Sequence, residues 1–301
     1  MNVLSVKNIS KDYGRIKALN NVSFNVPAGV TFGILGPNGS GKTTLLGIIT
    51  EVLIPTSGTF TLFDDAVTPK YLQRKQIGTL LETPNFYHYL SAERNLEISA
   101  EIKGVDKSEI DTVLKRVGLF ERKNSKFSTF SLGMKQRLAI GAALLGNPQV
   151  LVFDEPTNGL DPEGIAEIRE LIKQLGSEGH TIIMASHLLD EVEKVCSHVA
   201  ILKSGNLLAS GKNDEILVNE DIIEIGAADI EKLYICVQQK YPSLKIVKNI
   251  DTISVHLSDN EISAESINKD CFSEGIVLNK LILRKKSLES MFLELISNPN
   301  K

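Results

Sequence analysis

The sequence predicts an α/β fold on a mostly parallel sheet, with an antiparallel β segment at its start and a small α+β unit behind it. Three observations carry this. Short apolar runs at 30–35, 150–153 and 181–185 lack alternation between polar and apolar residues, as parallel strands buried on both faces do. Helical patterns at 92–102, 109–117 and 164–175 separate them, and alternating strand and helix implies a parallel core. After Gly211 the pattern changes, which places a first domain at 1–213 and a second at 217–301.

In chain order, 3–13 and 22–26 read as antiparallel strands flanking the core. Residues 30–35 form a buried strand, and 44–49 lie on the helix that follows it. A strand at 77–81 comes next, then the helical patterns at 92–102 and 109–117. Residues 150–153 form a strand that ends in two acids, and 181–186 a strand that ends at His187. Beyond Gly211, strands at 221–225, 244–247, 252–257 and 277–284 and helices at 229–240 and 263–274 give the order βαββαβ, that of a ferredoxin-like unit. A final amphipathic stretch covers 287–296.

The composition excludes several classes. Of 301 residues, 42% are hydrophobic and 23% charged, values of a soluble globular chain. A formal net charge of −4 argues against a surface for polyanions, so nucleic acid is not an expected partner. Cys196, Cys236 and Cys271 lack metal-ligand spacing and read as reduced thiols. Residues 1–10 hold no secretion signal, and no apolar run approaches the ~20 residues that span a bilayer. A cytoplasmic location is expected, with any membrane reached through a partner.

Gly36-Pro37-Asn38-Gly39-Ser40-Gly41-Lys42-Thr43 fits G-x-x-x-x-G-K-[ST] at every fixed position, and Thr44 continues into the helix. Glycines let the backbone curl until successive N–H groups face one anion, and the helix start adds partial positive charge. Lys42 is placed for the β- and γ-phosphates and Thr43 for Mg²⁺. The motif by itself says only that a nucleoside triphosphate is bound, and it leaves GTPases and kinases open. The buried run 150–153 then ends in Asp154-Glu155. Ligands of such sheets sit beyond the carboxyl ends of the strands. Asp154 is placed to hold Mg²⁺ and Glu155 to polarise the attacking water. Read in isolation, the same residues are a capped turn.

Between these motifs stands Phe130-Ser131-Leu132-Gly133-Met134-Lys135-Gln136-Arg137-Leu138. With it, the sequence resembles the ATP-binding cassette family, whose signature here usually reads Leu-Ser-Gly-Gly-Gln. Ser131 and Gly133 are kept; Phe130, Leu132 and Met134 depart from the pattern. Tyr13 sits where the family stacks a ring on adenine. Asn158-Gly159-Leu160-Asp161 resembles the loop that crosses the family's dimer interface, and His187 its switch histidine at the γ-phosphate. Singly, Tyr13 reads as a strand aromatic, His187 as a loop histidine and Ser131 as a helix cap. The resemblance covers 1–213. It implies a P-loop NTPase fold with a helical signature subdomain, ATP and Mg²⁺ as cofactors, a homodimer of ATPase subunits and an integral-membrane permease as partner. In the family, the helix end at Ser131 and Gly133 caps the γ-phosphate held by the other subunit.

After the strand 77–81 the family places a glutamine; the aligned residue here is Glu82, which keeps an acceptor oxygen for metal or water but adds charge. The duller reading is a solvent-exposed acid. Glu82 and the Ser-Leu-Gly-Met-Lys-Gln form of the signature resemble the bacitracin and lantibiotic export and resistance subgroup, as does Ser287-Leu288-Glu289-Ser290-Met291-Phe292-Leu293-Glu294-Leu295. The implied function is ATP hydrolysis that energises export of an antimicrobial peptide or drug. Phe86, Tyr87 and Tyr89 lie where the family docks its permease, with core packing as the rival reading. Two other functions compete: a soluble cassette ATPase, against which no second cassette or zinc spacing is present, and a weakly hydrolysing regulator, which Glu82 suggests.

Overall fold

The computed structural model describes residues 1–65, 68–81, 83–216, 221–257, 262–284 and 292. The chain divides into two compact units, Met1–Asn213 and a second that begins at Asp214.

The first unit opens with the long strands β1 (Asn2–Tyr13) and β2 (Ile16–Pro27), followed by β3 (Thr31–Leu35), α1 (Lys42–Ile49), β4 (Ser57–Leu62) and the short α2 (Lys70–Arg74). Next come β5 (Ile77–Leu80), α3 (Ala92–Lys103), α4 (Glu109–Arg116), α5 (Leu132–Leu144) and β6 (Val150–Asp154). The unit continues with α6 (Pro162–Ser177), β7 (Thr181–Ser186), α7 (Leu189–Val195), β8 (His198–Lys203) and β9 (Asn206–Lys212), and α8 (Asn213–Ile216) leads into the second unit.

Six strands form the central sheet in the order β5-β6-β7-β3-β8-β9. All neighbours run parallel except β9, which returns antiparallel along β8. Every residue of β6 and β7 is buried, which is why neither run alternates in sequence. Helices α1, α5, α6 and α7 pack on this sheet. Each fully buried Val, Leu, Ile or Phe contributes about 1.5–3 kcal/mol through loss of apolar surface to water. A separate antiparallel sheet, β2-β1-β4, shares its core with β3 and α1 through Leu4, Ile9, Leu19, Ile34 and Leu45.

The helical part presents α5. Its far end is capped by Lys103, whose ammonium donates to Ala142 O (2.7 Å), Ala143 O (3.1 Å) and Leu145 O (3.2 Å). A cation at a helix C-terminus meets carbonyls that lack intrahelical partners. Burial pulls the Lys103 pKa down to about 8.

The second unit contains β10 (Asp221–Ala227), α9 (Ile230–Lys240), β11 (Lys245–Lys248), β12 (Ile253–Leu257), α10 (Ala264–Ser273) and β13 (Leu278–Arg284). Its sheet order is β11-β12-β10-β13 with every pair antiparallel, which is the ferredoxin-like arrangement. Ile223, Ile225, Ile253 and Val255 share one buried face with Leu233 and Val237 of α9 and Ile267 of α10. The stretch 287–296 lies outside the described residues, apart from residue 292. Among the described residues, no helix is long and apolar enough to cross a membrane.

Candidate functional site

The carboxyl end of β3 delivers residues 36–41 into a tight loop that runs straight into α1. Ser40 N–H donates to Pro37 O (3.1 Å), and Leu45 N–H to Gly41 O (2.9 Å). Gly41 takes φ +104°, and a Cβ there would stand 2.5 Å from Ala18 O; at Gly36 a Cβ would stand 2.3 Å from Leu202 O. Only glycine fits either place. No side chain caps the start of α1, so its first amides face outward as donors for an anion. The turn between β8 and β9 braces the loop, with Gly205 N–H donating to Ser40 O (3.0 Å) and Asn20 N–H to Gly205 O (2.8 Å). Ser40 Oγ is buried and has no hydrogen-bond partner among the described residues. Such a hydroxyl costs about 1–3 kcal/mol until an acceptor meets it.

The cation and the carboxylate of the site come from the ends of β3 and β6, the two strands that flank β7. Lys42 is buried, and its ammonium donates to Gly36 O (2.8 Å) and Pro37 O (3.3 Å) while lying 3.4 Å from Glu155 Oε1. The other oxygen, Glu155 Oε2, lies 2.8 Å from His187 Nδ1 and accepts more weakly from His187 N–H at 3.4 Å. A carboxylate only accepts, so Nδ1 carries the hydrogen in this pair. One carboxylate thus bridges a lysine at the end of β3's loop and a histidine at the end of β7. Glu155 holds this place with φ +48°, a left-handed conformation unusual outside glycine, while its N–H donates to Ala185 O (3.0 Å). Strain of this kind costs on the order of 1–3 kcal/mol. Asp154, one residue earlier, is buried and lies in register with Ala185.

Of these groups, Lys42 and Glu155 border a cavity of about 590 Å³, whose lining does not include Asp154 or His187. Tyr13, Asn38, Gly39, Gly41, Lys42, Thr43, Thr44 and Glu155 line it; Gly36 and Ser40 sit in the loop behind. Tyr13 is 47% exposed, and Lys11 Nζ stands 5.1 Å over its ring. Ile16, Lys17, Ala18 and Ser204 also line the cavity and were not legible as site residues. Ile16 had one trace in sequence: an apolar residue directly after the turn Tyr13-Gly14-Arg15, now paired across the hairpin with Tyr13. Ser204 had none, because it arrives from a distant hairpin.

Ser131, Gly133 and Asp161 are not in this cavity. They line a second one, of about 470 Å³, with Leu132, Met134 and Gly159, and the two cavities share no residue. Two helices begin here. Ser131 caps α5, its Oγ accepting from Met134 N–H at 3.2 Å, and Asp161 caps α6, its Oδ1 accepting from Gly164 N–H at 3.0 Å. The Ser131 hydroxyl accepts in that bond, so its own hydrogen is free to donate elsewhere. Asp161 already fills the positive end of α6 with a carboxylate, whereas α5 has no acid in its first turn. The helix end fit to receive an outside anion is therefore that of α5. Phe130 is buried among Phe127 and its neighbours, and Leu132 is 44% exposed beside Gly159.

Glu82 lies outside the described residues. Just beyond it, the three aromatics separate into two kinds. Phe86 packs edge-on against Phe127 (5.3 Å between centroids), whereas Tyr87 and Tyr89 are 51% and 69% exposed and T-shaped to each other at 6.0 Å. Buried Asn95 fixes them from beneath, accepting from Tyr87 N–H (2.9 Å) and donating to Tyr87 O (3.1 Å).

A family model described as "ABC transporter" matches residues 19–158. The chain is 34% identical over 298 residues to a bacitracin transport ATP-binding protein, BcrA, of Enterococcus faecalis, covering 98% of this chain and 96% of that one. It is 39% identical to a lantibiotic transport ATP-binding protein, SrtF, of Streptococcus pyogenes, over 77% of this chain and 96% of the relative. Among solved structures, a dimeric post-hydrolysis ATP-binding cassette bound to ADP and phosphate superposes with a TM-score of 0.62 at 29% identity. It covers 69% of this chain and 98% of that one.

Proposed function

Since the chain belongs to the ATP-binding cassette family and is an ATP-hydrolysing subunit of a transporter, we propose that two copies close on ATP and drive export of an antimicrobial peptide. The observation that carries the composite site is the separation of the phosphate-loop cavity from the Ser131 cavity. Each copy holds two halves that do not meet within one chain. The triphosphate lies along the amides of 39–43, with Tyr13 against the base and Lys42 at the β- and γ-phosphates. Ser131 and the start of α5 of the second copy close over the γ-phosphate.

The donor set suits Mg²⁺. Thr43 and Asp154 offer hydroxyl and carboxylate oxygens, and no cluster of three or more His, Cys, Asp or Glu among the described residues forms a cage of its own. A hard cation shared with substrate phosphates needs no more than one or two carboxylates. Mg²⁺, when bound, neutralises charge on the phosphates. Glu155 orients and deprotonates the attacking water, and His187 holds the glutamate and meets the γ-phosphate. Glu82 joins this set as a further oxygen donor. The substrate class rests on the bacitracin and lantibiotic relatives.

A permease at the inner face of the membrane completes the transporter, and Tyr87 and Tyr89 form its docking point. Exposed tyrosines on a rigid base are common interface anchors, worth about 2 kcal/mol or more each when central. Tyr87→Ala with Tyr89→Ala is expected to leave ATP hydrolysis by the isolated subunit within about twofold of wild type and to weaken permease binding at least ~30-fold. Copurification with the membrane protein and vesicle transport assays check this. Loss of folding in the double variant would assign the tyrosines to the core instead.

A further inference from the structure

Away from the nucleotide machinery, the second unit brings two of the chain's three thiols together. Cys236 lies on α9 and Cys271 on α10, and the two helices pack against one another. Cys271 is buried within the apolar layer; Cys236 packs against that layer at its rim and lines a cavity of about 240 Å³ with Lys232, Gln239, Lys240 and Glu274. Both thiols belong to the one apolar layer that the two helices share, Cys271 within it and Cys236 packed against it. Polar ties hold the helices in this register. Tyr241 Oη donates to Asp270 Oδ2 at 2.5 Å, and Lys240 Nζ stands 3.4 Å from Asp270 Oδ1 and 3.7 Å from Glu274 Oε1.

We infer that Cys236 and Cys271 form a thiol–disulfide exchange site, in which a low-molecular-weight disulfide is reduced while the two sulfurs become bonded to each other. Cys236 reacts first because it lines the cavity and is the less buried of the two. Its thiolate attacks one sulfur of the oxidant, breaking that S–S bond and releasing one thiolate, which takes up the proton Cys236 has lost. Cys271, once deprotonated, attacks Cys236 Sγ in the mixed disulfide and expels the second thiolate, which takes the second proton. Two electrons pass from the cysteine pair to the oxidant, two small thiols leave, and a covalent bond joins α9 to α10.

The surrounding charges set the conditions. The Lys240 ammonium favours a thiolate at both sites. Burial outweighs it, the Glu274 and Asp270 carboxylates oppose it, and both thiols are held above their usual range, Cys271 at about 11. Exchange is therefore base-promoted, accelerating about tenfold per pH unit between roughly pH 7 and 9 as the thiolate fraction grows. Cys196 serves as an internal control. It is buried beside Gly33, and burial alone pushes its thiol up.

The test treats native full-length protein with oxidised glutathione at about pH 9, the upper end of the range over which exchange accelerates. The sample is then quenched in acid, alkylated after denaturation and weighed intact. The expected result is loss of two of the three thiols, no retained glutathione and a non-reduced peptide joining Cys236 to Cys271. Three surviving thiols, or one glutathione retained per chain without that peptide, would overturn the inference. Cys271→Ala is expected to trap a single glutathione on Cys236. Should that buried variant not fold, Cys236→Ser, at the half-buried position, is expected to lose no thiol over the same time. Thiol loss equal to wild type in Cys236→Ser would equally overturn it.

Discussion

Lys42→Ala is expected to weaken ATP binding about 100-fold and to reduce hydrolysis to background. The ammonium is buried, already oriented by Gly36 O and Pro37 O, and faces the cavity from the loop's end. A charge-assisted hydrogen bond to phosphate contributes about 1.5–3 kcal/mol, and each 1.4 kcal/mol is tenfold in affinity. The fall in hydrolysis exceeds the fall in binding, because charge on the transferred phosphoryl group develops further in the transition state. Lys42→Arg does not rescue. The longer, planar guanidinium does not fit a pocket shaped by two loop carbonyls. Equilibrium binding of a fluorescent ATP analogue together with phosphate release separates the two effects.

Glu155→Gln is expected to lower the hydrolysis rate by about 10²–10⁴-fold, the usual contribution of a positioned general base, while nucleotide binding is kept or tightened. The sign of the binding effect follows from geometry. Glu155 Oε1 stands 3.4 Å from the Lys42 ammonium, so carboxylate and incoming triphosphate compete for one cation. Glutamine is nearly isosteric, keeps an acceptor oxygen for His187 and removes the competing charge. Binding by the variant with little turnover is the expected pair of readings. Hydrolysis at the wild-type rate would assign the water-activating role elsewhere and favour a nucleotide-dependent regulator.

Much of this arrangement is legible in the sequence, for identifiable physical reasons. The run from Gly36 to Thr43 is read because phosphate binding by backbone demands glycine at fixed spacing. The strands at 150–153 and 181–185 are read because burial on both faces erases alternation. The ferredoxin-like order is visible because each of its six elements is short and separately bounded. Other features depend on contacts that sequence does not display. Ser204 reaches the site through the packing of one hairpin against a loop some 160 positions away. The left-handed φ of Glu155 is imposed by its hydrogen bonds to Ala185 and Asn158, and no local residue pattern announces it. Phe86, Tyr87 and Tyr89 look alike in sequence, and only the Asn95 side chain and the Phe127 ring separate one half-buried member from two exposed ones. Substitution of the signature glycine by Leu132 is readable as a departure, but its contact with Gly159 is not.

The departures at the second cavity also bear on how the halves meet. Leu132 places an exposed apolar side chain beside the loop at Gly159, where a smaller residue would leave a gap. The proposed closed dimer is expected to bury that side chain, adding contact area at the same helix end.

A composite site requires that each triphosphate be gripped by two chains. Lys42→Ala lacks one half of every site and Ser131→Arg lacks the other, so each is expected to be inactive alone. In an equal mixture about half of the dimers are heterodimers, and each of these has one intact site, with Lys42 from one chain and Ser131 from its twin. ATP hydrolysis in the mixture is therefore expected to recover to about one quarter of wild type, as statistical pairing of subunits with one working site in two requires. A mixture as inactive as its two components, with exchange of subunits demonstrated, would contradict the shared site.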